Sequence, residues 1–280
     1  MPKSRLPRYH RLRSVGPDRQ LRMRPWLVSI LRCPETSQGV RSESDALRRE
    51  DGTVIPVRNG IASLAWPRAL AGDDARMNRL YERIAPFYAL SERFLGRLIT
   101  GVSIQRERAR MISLVGLRPR MRLLEISPGP GVFQPLLREA LGPAAEIAAL
   151  DLSWNMLRQC QAQHGSLGVE LVHGNAQYLP FADGSFDAVF HFGGVNLFNE
   201  PGRAVAEMVR IVRDRGVVCW GDEQISAGYR ARHPFRSWVL TKLNPGYARE
   251  PPGIPSGLAD VDTLEVCDGL GYLVRGRRCV

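Results

Sequence analysis

Short apolar runs alternate with helical stretches between Arg122 and Asp222 of this 280-residue chain, and this alternation limits the possible folds more than any other feature. Strands and helices in regular alternation are typical of a parallel sheet covered on both faces. We therefore predict a doubly wound α/β core. The predicted strands are Arg122–Ile126, Glu146–Asp151, Val169–His173, Phe186–Phe192 and Gly216–Asp222, and the predicted helices are Phe133–Leu141, Trp154–His164 and Arg203–Val212.

A glycine-containing turn follows the first of these strands. Glu125 stands near the end of the strand, and the segment Ser127–Gly131 then opens a helix. Such a turn lets the backbone approach a ligand at the carboxyl edge of the sheet, although dinucleotide sites and purely structural turns use it too. Asp151 ends the second strand about 20 residues later, where a carboxylate can accept hydrogen bonds from both hydroxyls of a ribose. The spacing favours a ligand that contains a nucleoside.

Two further segments complete a recurring order of motifs. Gly174–Phe181 follows the third strand, and Ser185–Val189 begins the fourth. Together with the glycine turn and Asp151–Leu157, they resemble the class I S-adenosylmethionine-dependent methyltransferases. The resemblance covers about Tyr81–Glu223 and implies a mostly parallel, Rossmann-like methyltransferase sheet. Within it, Tyr81–Tyr88 is similar to the N-terminal helix of the menaquinone/ubiquinone C-methyltransferases and their small-molecule relatives.

The resemblance implies that S-adenosylmethionine is the cofactor and that residues at several strand ends bind it. It implies Glu125, Ser127, Gly129 and Gly131 around the methionine portion and ribose, Asp151 on the ribose hydroxyls, Leu152 and Met156 on the adenine faces, Asn175 and Ala176 at the adenine edge, His191 beside the methionine end, and Tyr88 closing over the site.

The chain departs from the family pattern at three places. Ser127 stands where glycine is usual, and Asn175 replaces a usual aspartate, which removes a charge but keeps an acceptor for the adenine amino group. After the strand-like Tyr272–Cys279 the chain stops, whereas the family's sheet ends in a two-strand hairpin. We therefore expect one edge strand to be missing or to come from elsewhere in the chain.

The candidates for a general base lie near the ends of the fourth and fifth strands: His191, Asp222 and Glu223. Histidine suits proton transfer near neutral pH, but a lone histidine is more often a structural residue with a hydrogen bond. The carboxylate pair has two interpretations, capping or solvation of a loop, and proton abstraction from a phenol or amine. A base is needed only when the acceptor must lose a proton.

Three regions are predicted along the chain. Residues 1–26 form a basic leader, residues 27–70 a small β-rich appendage, and residues 71–280 the methyltransferase domain with a helical lid at its start. The appendage contains a predicted strand at Val28–Leu31 and resembles the zinc-ribbon-like module that precedes some ribosomal RNA methyltransferases. It keeps one cysteine, Cys33, so we predict no metal site.

Charge and cysteine content limit the class of protein. The net charge of +11 is concentrated in the first 32 residues, where a solvated extension is one interpretation and attraction to RNA or a membrane the other. Five separated cysteines indicate no disulfide framework. No apolar run approaches the roughly 20 residues that span a bilayer. We expect a cytoplasmic protein, and the oligomeric state stays open.

A small, mostly apolar or aromatic organic acceptor is the leading prediction for the substrate, with methylation on carbon or oxygen. The lid helices and the aromatic side chains between Gly228 and Pro255 would enclose it, although those aromatics could equally be ordinary core. Two alternatives stay open: methylation of ribosomal RNA or another nucleic acid, and binding of S-adenosylmethionine in a structural or cyclase-like role without methyl transfer.

Overall fold

A computed structural model describes residues 23–43, 46–83 and 104–280. The predicted leader up to residue 22 lies outside these residues, as do residues 84–103 of the predicted lid. Twelve strands are described: β1 Val40–Glu43, β2 Ala46–Arg49, β3 Val54–Ile55, β4 Val57–Arg58, β5 Ile61–Ser63, β6 Leu123–Ile126, β7 Ile147–Asp151, β8 Glu170–His173, β9 Phe186–Phe192, β10 Val212–Glu223, β11 Leu258–Val266 and β12 Gly271–Arg278.

The described helices flank these strands. They are α1 Pro25–Ile30, α2 at residues 72–83, α3 Ile104–Val115, α4 Gln134–Leu141, α5 Trp154–His164, α6 Pro201–Ile211, α7 Ala227–Arg232 and α8 Pro234–Leu243. No helix among the described ranges is long and apolar enough to cross a membrane.

Nine strands form one sheet in the order β11-β12-β10-β9-β6-β7-β8-β5-β4. The six from β10 to β5 run parallel, while β12, β11 and β4 are antiparallel to their neighbours. The chain moves outward from β6 through β7 to β8 and then returns to place β9 on the other side of β6. In open α/β sheets a ligand binds at the carboxyl ends of the strands beside such a reversal.

The core lies on both faces of this sheet, which confirms the predicted doubly wound, mostly parallel architecture. Leu124 and Ile126 of β6 pack into a cluster that includes α1 and α6, whereas Leu123 of the same strand packs toward α3 and α4. Successive side chains of a strand point to opposite faces, so a strand buried on both sides reads as a continuous apolar run.

The five predicted strands and three predicted helices of the core are confirmed within a few residues. The largest difference is at β10, which begins at Val212 and not at Gly216. Its pairing with β9 shifts between Val212 and Val217, and the exposed polar segment between them is typical of a turn. An irregularity of this kind leaves no periodic signal in the sequence.

The predicted strand at Val28–Leu31 is wrong, because these residues belong mainly to helix α1. Pro25 occupies the start of the helix, where its missing N–H costs nothing, and Leu27 and Ile30 are buried one turn apart. Leu31 makes only an isolated bridge with Phe181. A short apolar run does not distinguish helix from strand by itself.

The predicted β-rich segment at residues 27–70 contributes to two sheets. Strands β1, β2 and β3 form a separate three-stranded sheet. Strand β5 pairs in parallel with β8, where Ala62 lies opposite Val172, and β4 forms the edge. This part of the chain therefore extends the central sheet beyond its third parallel strand.

The expectation of a missing edge strand at the C-terminal end is wrong. Strands β11 and β12 form an antiparallel hairpin, and β12 pairs with β10 from Val217 to Glu223. Most side chains of β11 are exposed or half-buried, since it is the edge strand. It therefore lacks the apolar alternation by which a strand is found in a sequence.

Candidate active site

The turn after β6 contributes residues 127–130 to the wall of a large cavity. Ser127, Gly129 and Gly131 all have positive φ values, of 53°, 56° and 88°. A Cβ atom added to Gly129 would meet nothing within 4 Å, whereas one added to Gly131 would lie 2.6 Å from the His164 ring and 2.8 Å from Cys160 Sγ. Gly129 leaves room for a ligand, and Gly131 leaves room for α5.

Asp151 lies at the end of β7 beside this turn. Its carboxylate accepts hydrogen bonds from the Gly129 amide at 3.1 Å and the Ser153 amide at 2.9 Å. Burial raises the pKa of Asp151 to about 6, against the lowering effect of these amides, so the group is ionised at neutral pH. Asp151 also lines the cavity together with Leu152 and Met156. A carboxylate with free acceptor capacity at this place suits a pair of hydroxyls.

Glu125 is 2% exposed and lies behind the turn. Its carboxylate accepts a hydrogen bond from the side chain of Gln134. Burial raises the pKa of Glu125 to about 8. Of the turn residues predicted to bind cofactor, Ser127 and Gly129 line the cavity, whereas Glu125 and Gly131 are not part of its described wall.

Asn175 and Ala176 are buried after β8 and are likewise not part of the described cavity wall. The side-chain amide of Asn175 donates to Asp74 at 3.4 Å, and its oxygen accepts from the Gln177 amide at 3.0 Å. Asp74 itself lines the cavity. A carboxylate from α2 thus stands next to the position where the family pattern has an aspartate and this chain has asparagine.

The described part of helix α2 is held near its start and near residue 82 by side chains of other elements. Asn199 accepts from the amides of Asp73 and Asp74 at 2.7 and 3.3 Å, which caps the start of the helix. Near its last described turn, Glu82 accepts from Ser153 Oγ at 2.7 Å and from the Asn155 amide at 3.1 Å. These contacts hold α2 along the cavity, where Tyr81 forms part of the wall.

Asp222 is buried near the end of β10 and holds the turn that follows β9. Its carboxylate accepts from the amides of Gly194, Asn196 and Glu223 at 2.8, 2.7 and 2.8 Å. It is 1% exposed and does not belong to the described wall. Asp222 therefore shapes the turn after β9, in which Gly193 and Gly194 have φ values of 98° and open space at their Cα atoms.

His191 is completely buried in β9. Its Nδ1 lies 3.0 Å from the carbonyl oxygen of Ile126, and burial lowers the pKa of the ring, so it is neutral at pH 7. Within the described residues Nε2 has no hydrogen-bond partner, and His191 is not part of the cavity wall. The structure does not bring this predicted base to a place where an acceptor could meet it.

Glu223 is the member of the predicted set that lines the cavity at this end. Burial raises the pKa of the Tyr81 and Tyr247 phenols, and the negative charge of Glu223 raises both further. Both phenols stay protonated at neutral pH. A carboxylate in a cavity wall that also contains two phenolic groups can accept a proton or orient a hydroxyl.

The cavity has a volume of about 670 Å³, within the usual range for ligand sites. One end is polar and includes Asp74, Ser127, Asp151 and Ser153. The other end is mostly apolar, and its wall includes Ile104, Phe133, Phe192, Tyr247 and Leu270. Tyr88, which we predict to close over the site, lies outside the described residues.

Asp74 and Tyr81 are two of the polar wall residues that the sequence does not assign to the site. Both belong to α2, and both precede the glycine turn by more than forty residues in the sequence. An acidic residue in the first turn of a helix ordinarily indicates only a favourable helix start. The unusual Asn175 is the signal that could have pointed to Asp74. It lacks the negative charge of the aspartate in the family pattern, and a carboxylate from elsewhere in the chain can supply that charge.

The sheet order, the glycine turn and the acid at the end of the second parallel strand define a class I methyltransferase fold. Residues 124–220 match the family model described as "Methyltransferase domain". A solved structure of phosphoethanolamine N-methyltransferase 2 from Haemonchus contortus in complex with S-adenosyl-L-methionine has the same fold, with a TM-score of 0.52, 13% sequence identity, and coverage of 77% of this chain and 62% of that one.

Curated relatives named demethylmenaquinone methyltransferase are similar to part of the chain. The protein from Staphylococcus aureus (strain JH9) is 38% identical over 114 residues, 40% of this chain and 46% of that protein. The protein from Renibacterium salmoninarum is 31% identical over 137 residues, 49% of this chain and 54% of that protein. The chain thus spans about half the length of these relatives. Residues 124–220 are thus similar to methyltransferase domains, and S-adenosylmethionine is the cofactor that this similarity indicates.

Proposed function

We propose that this protein transfers a methyl group from S-adenosylmethionine to a small, mostly apolar or aromatic organic acceptor, on carbon or oxygen, in secondary or quinone-like metabolism. The observation that carries the proposal is the continuity of the cavity, which runs from the polar end at Asp151 to the apolar end at Phe133 and Leu270. A cofactor and an acceptor can therefore meet inside one cavity. The relatives named demethylmenaquinone methyltransferase support a flat, quinone-like ring as the acceptor.

The residues present fit the cofactor. Asp151 would hold the ribose hydroxyls, the open Gly129 backbone would pass beside the sugar and methionine, and Leu152 with Met156 would contact the adenine. Asp74, held against Asn175, would accept a hydrogen bond from the adenine amino group. The methionine end would then lie along Gly193 and Gly194, toward the apolar part of the cavity.

When bound, the cofactor supplies an electrophilic methyl group on a sulfonium. Displacement at that carbon needs the acceptor atom in line with the methyl group and the sulfur, so positioning supplies much of the rate. The aromatic wall formed by Phe133, Phe192 and Tyr247 would hold a flat acceptor and exclude water.

Glu223 is our candidate for the general base. It would take the proton that a phenol or an activated ring carbon loses, while Tyr81 or Tyr247 orients the same oxygen as a hydrogen-bond donor. General-base catalysis contributes about 10²- to 10⁴-fold. We expect Glu223→Gln to lower kcat within that range with little change in cofactor affinity. The loss should lessen at alkaline pH, where the acceptor ionises without help. Equal losses of kcat and cofactor affinity would instead mean that Glu223 only shapes the pocket.

The acceptor class is tested by incubating the protein with methyl-labelled S-adenosylmethionine and cell extract. Label in the organic-soluble fraction supports the proposal, and label in RNA supports nucleic-acid methylation. Tight cofactor binding without transfer to either fraction supports a structural or cyclase-like role. The Asp151→Asn variant is the matched control, because it should lose transfer to every acceptor while the fold is kept.

A further inference from the structure

Helix α8 has apolar side chains on its buried side and, unlike an ordinary surface helix, also on its exposed side. Ser237 and Leu240 face the protein and are 4% and 5% exposed. Phe235, Trp238 and Leu243 face outward and are 75%, 59% and 66% exposed. A surface helix normally turns its apolar stripe toward the core. Exposed apolar side chains that gather on one face indicate an interaction surface.

The buried side of α8 holds this outward face in place. Leu240 packs into a small buried cluster with Ile225, Tyr229 and Leu270. Ser237 donates its hydroxyl proton to the carbonyl of His233 at 2.8 Å, so the buried polar group is satisfied. The rings of Phe235 and Trp238 stack with centroids 6.1 Å apart. The aromatic pair therefore stands on a fixed support.

Positive charge surrounds the aromatic pair. Residues 224–249 contain no Asp or Glu but contain five cations: Arg230, Arg232, Arg236, Lys242 and Arg249. Arg232 pairs with Asp268 and Arg249 with Asp73. Among the described residues no ion pair is formed by Arg230, Arg236 or Lys242, which flank or belong to α8. The surface thus combines exposed aromatics with uncompensated positive charge.

The same helix leads into the wall of the cavity. Its last residue, Leu243, and the following Asn244 and Tyr247 line the cavity beside Glu223. A binding partner on the outward face of α8 would therefore lie close to the apolar end of the cavity. An apolar acceptor carried by that partner could enter the cavity without crossing bulk water.

We propose that the outward face of α8, formed by Phe235, Trp238 and Leu243 with Arg236 and Lys242, docks on an anionic lipid bilayer. Aromatic and aliphatic side chains on one face of a helix with Lys and Arg beside them bind the interface of such membranes. Tryptophan suits the headgroup level, and each cation near the surface adds attraction to anionic lipid. A protein partner or a second copy of this chain would need acidic residues to match these cations. The proposal extends the proposed function by naming where an apolar acceptor enters.

The test is flotation of the full chain with vesicles of phosphatidylcholine alone or of phosphatidylcholine mixed with phosphatidylglycerol. The protein should bind the mixed vesicles, and binding should weaken as salt screens the cations. The double variant Phe235→Ser/Trp238→Ser should lower the vesicle partition coefficient by at least about tenfold, or about 1.4 kcal/mol. Val54→Ser, which changes an exposed apolar residue far along the chain, should leave it unchanged.

Charge is tested by a second pair of variants. Arg236→Glu should weaken binding to the anionic vesicles, while Arg215→Glu, at a side chain 90% exposed outside this surface, should have a smaller effect. Equal vesicle binding by the wild type and the Phe235→Ser/Trp238→Ser variant would overturn the proposal. So would an oligomer in sedimentation velocity that the double variant converts to monomer, because the face would then bind a second copy.

This proposal and the proposed function fail in different ways. None of the substituted residues lines the cavity, so affinity for S-adenosylhomocysteine should be unchanged in all these variants. Methyl transfer to the organic-soluble fraction without vesicle binding would contradict the docking proposal but not the proposed function. Vesicle binding that depends on Phe235 and Trp238, without methyl transfer to any fraction, would contradict the proposed function but not the docking proposal.

Discussion

The backbone amide of Gly129 donates a hydrogen bond to the Asp151 carboxylate at 3.1 Å, which joins the turn after β6 to the end of β7. Two neighbouring parallel strands thereby present a bare backbone and a carboxylate to the same cavity. This pairing is the basis of the cofactor site that we propose.

Asp151 should make cofactor affinity depend on pH. Because burial raises its pKa to about 6, the carboxylate becomes protonated just below neutral pH and loses acceptor strength toward the ribose hydroxyls. We expect affinity for labelled S-adenosylhomocysteine in equilibrium dialysis to be constant above pH 7 and to fall up to about tenfold per pH unit below pH 6. In Asp151→Asn this dependence should disappear, whereas Asp183→Asn, at an exposed carboxylate, should keep it. A wild-type affinity that stays constant from pH 7 to pH 5 would exclude Asp151 from the site.

Two glycines of the same turn should respond differently to alanine. Gly131→Ala forces a Cβ against His164 and Cys160, so it should lower the free energy of unfolding by about 2–4 kcal/mol. Gly129→Ala points into open space and carries only the cost of its positive φ, about 1–2 kcal/mol. It should nevertheless weaken S-adenosylhomocysteine binding more than tenfold. Urea unfolding and ligand titration measure the two effects, and normal cofactor affinity in folded Gly129→Ala would contradict the assignment.

Glu125 should destabilise the free protein as pH rises. Burial raises its folded pKa to about 8, above its ordinary value of 4.5, so its favourable contribution is complete below about pH 4.5 and is lost as pH rises through 8. Glu125→Gln avoids the buried charge at every pH. Its Tm relative to wild type should therefore increase between pH 6 and pH 9, by at least about 4 °C. Glu139→Gln, at an exposed position of α4, is the control and should follow the wild type.

Asp74 should discriminate between nucleobases. Its carboxylate is a hydrogen-bond acceptor, which suits the amino group of adenine and repels the carbonyl of hypoxanthine. We expect the wild type to prefer S-adenosylhomocysteine over S-inosylhomocysteine by at least about tenfold, since a site built for a hydrogen bond rejects an analogue that lacks it. Asp74→Asn should reduce the preference, and Asp73→Asn, at the adjacent residue that pairs with arginine side chains, should not. An unchanged preference in Asp74→Asn would leave adenine recognition to other groups.

Much of the sheet could be predicted because buried parallel strands are continuous apolar runs. Strand β9 and helix α5 have the predicted bounds to the residue, Phe186–Phe192 and Trp154–His164. Asp151 could also be placed, since the end of a strand after a glycine turn fixes its position. These features depend on local pattern and on the rules that order parallel strands.

Other features depend on contacts between distant parts of the chain. Helix α1 was predicted as a strand because a short apolar run carries no period, and β11 was not found because its side chains are mostly exposed. The role of Asp74 follows from its contact with Asn175, 101 positions away. The seclusion of His191 likewise follows from burial on both faces of β9 and not from its sequence neighbours.

The most direct test of the account is calorimetric titration of the full chain with S-adenosylhomocysteine at neutral pH. We predict binding of one ligand per chain with a dissociation constant in the micromolar range, and at least about tenfold weaker binding in Asp151→Asn, which should stay folded. Absence of binding at high micromolar ligand, from protein that is folded, would contradict the cofactor site and with it the proposed methyl transfer.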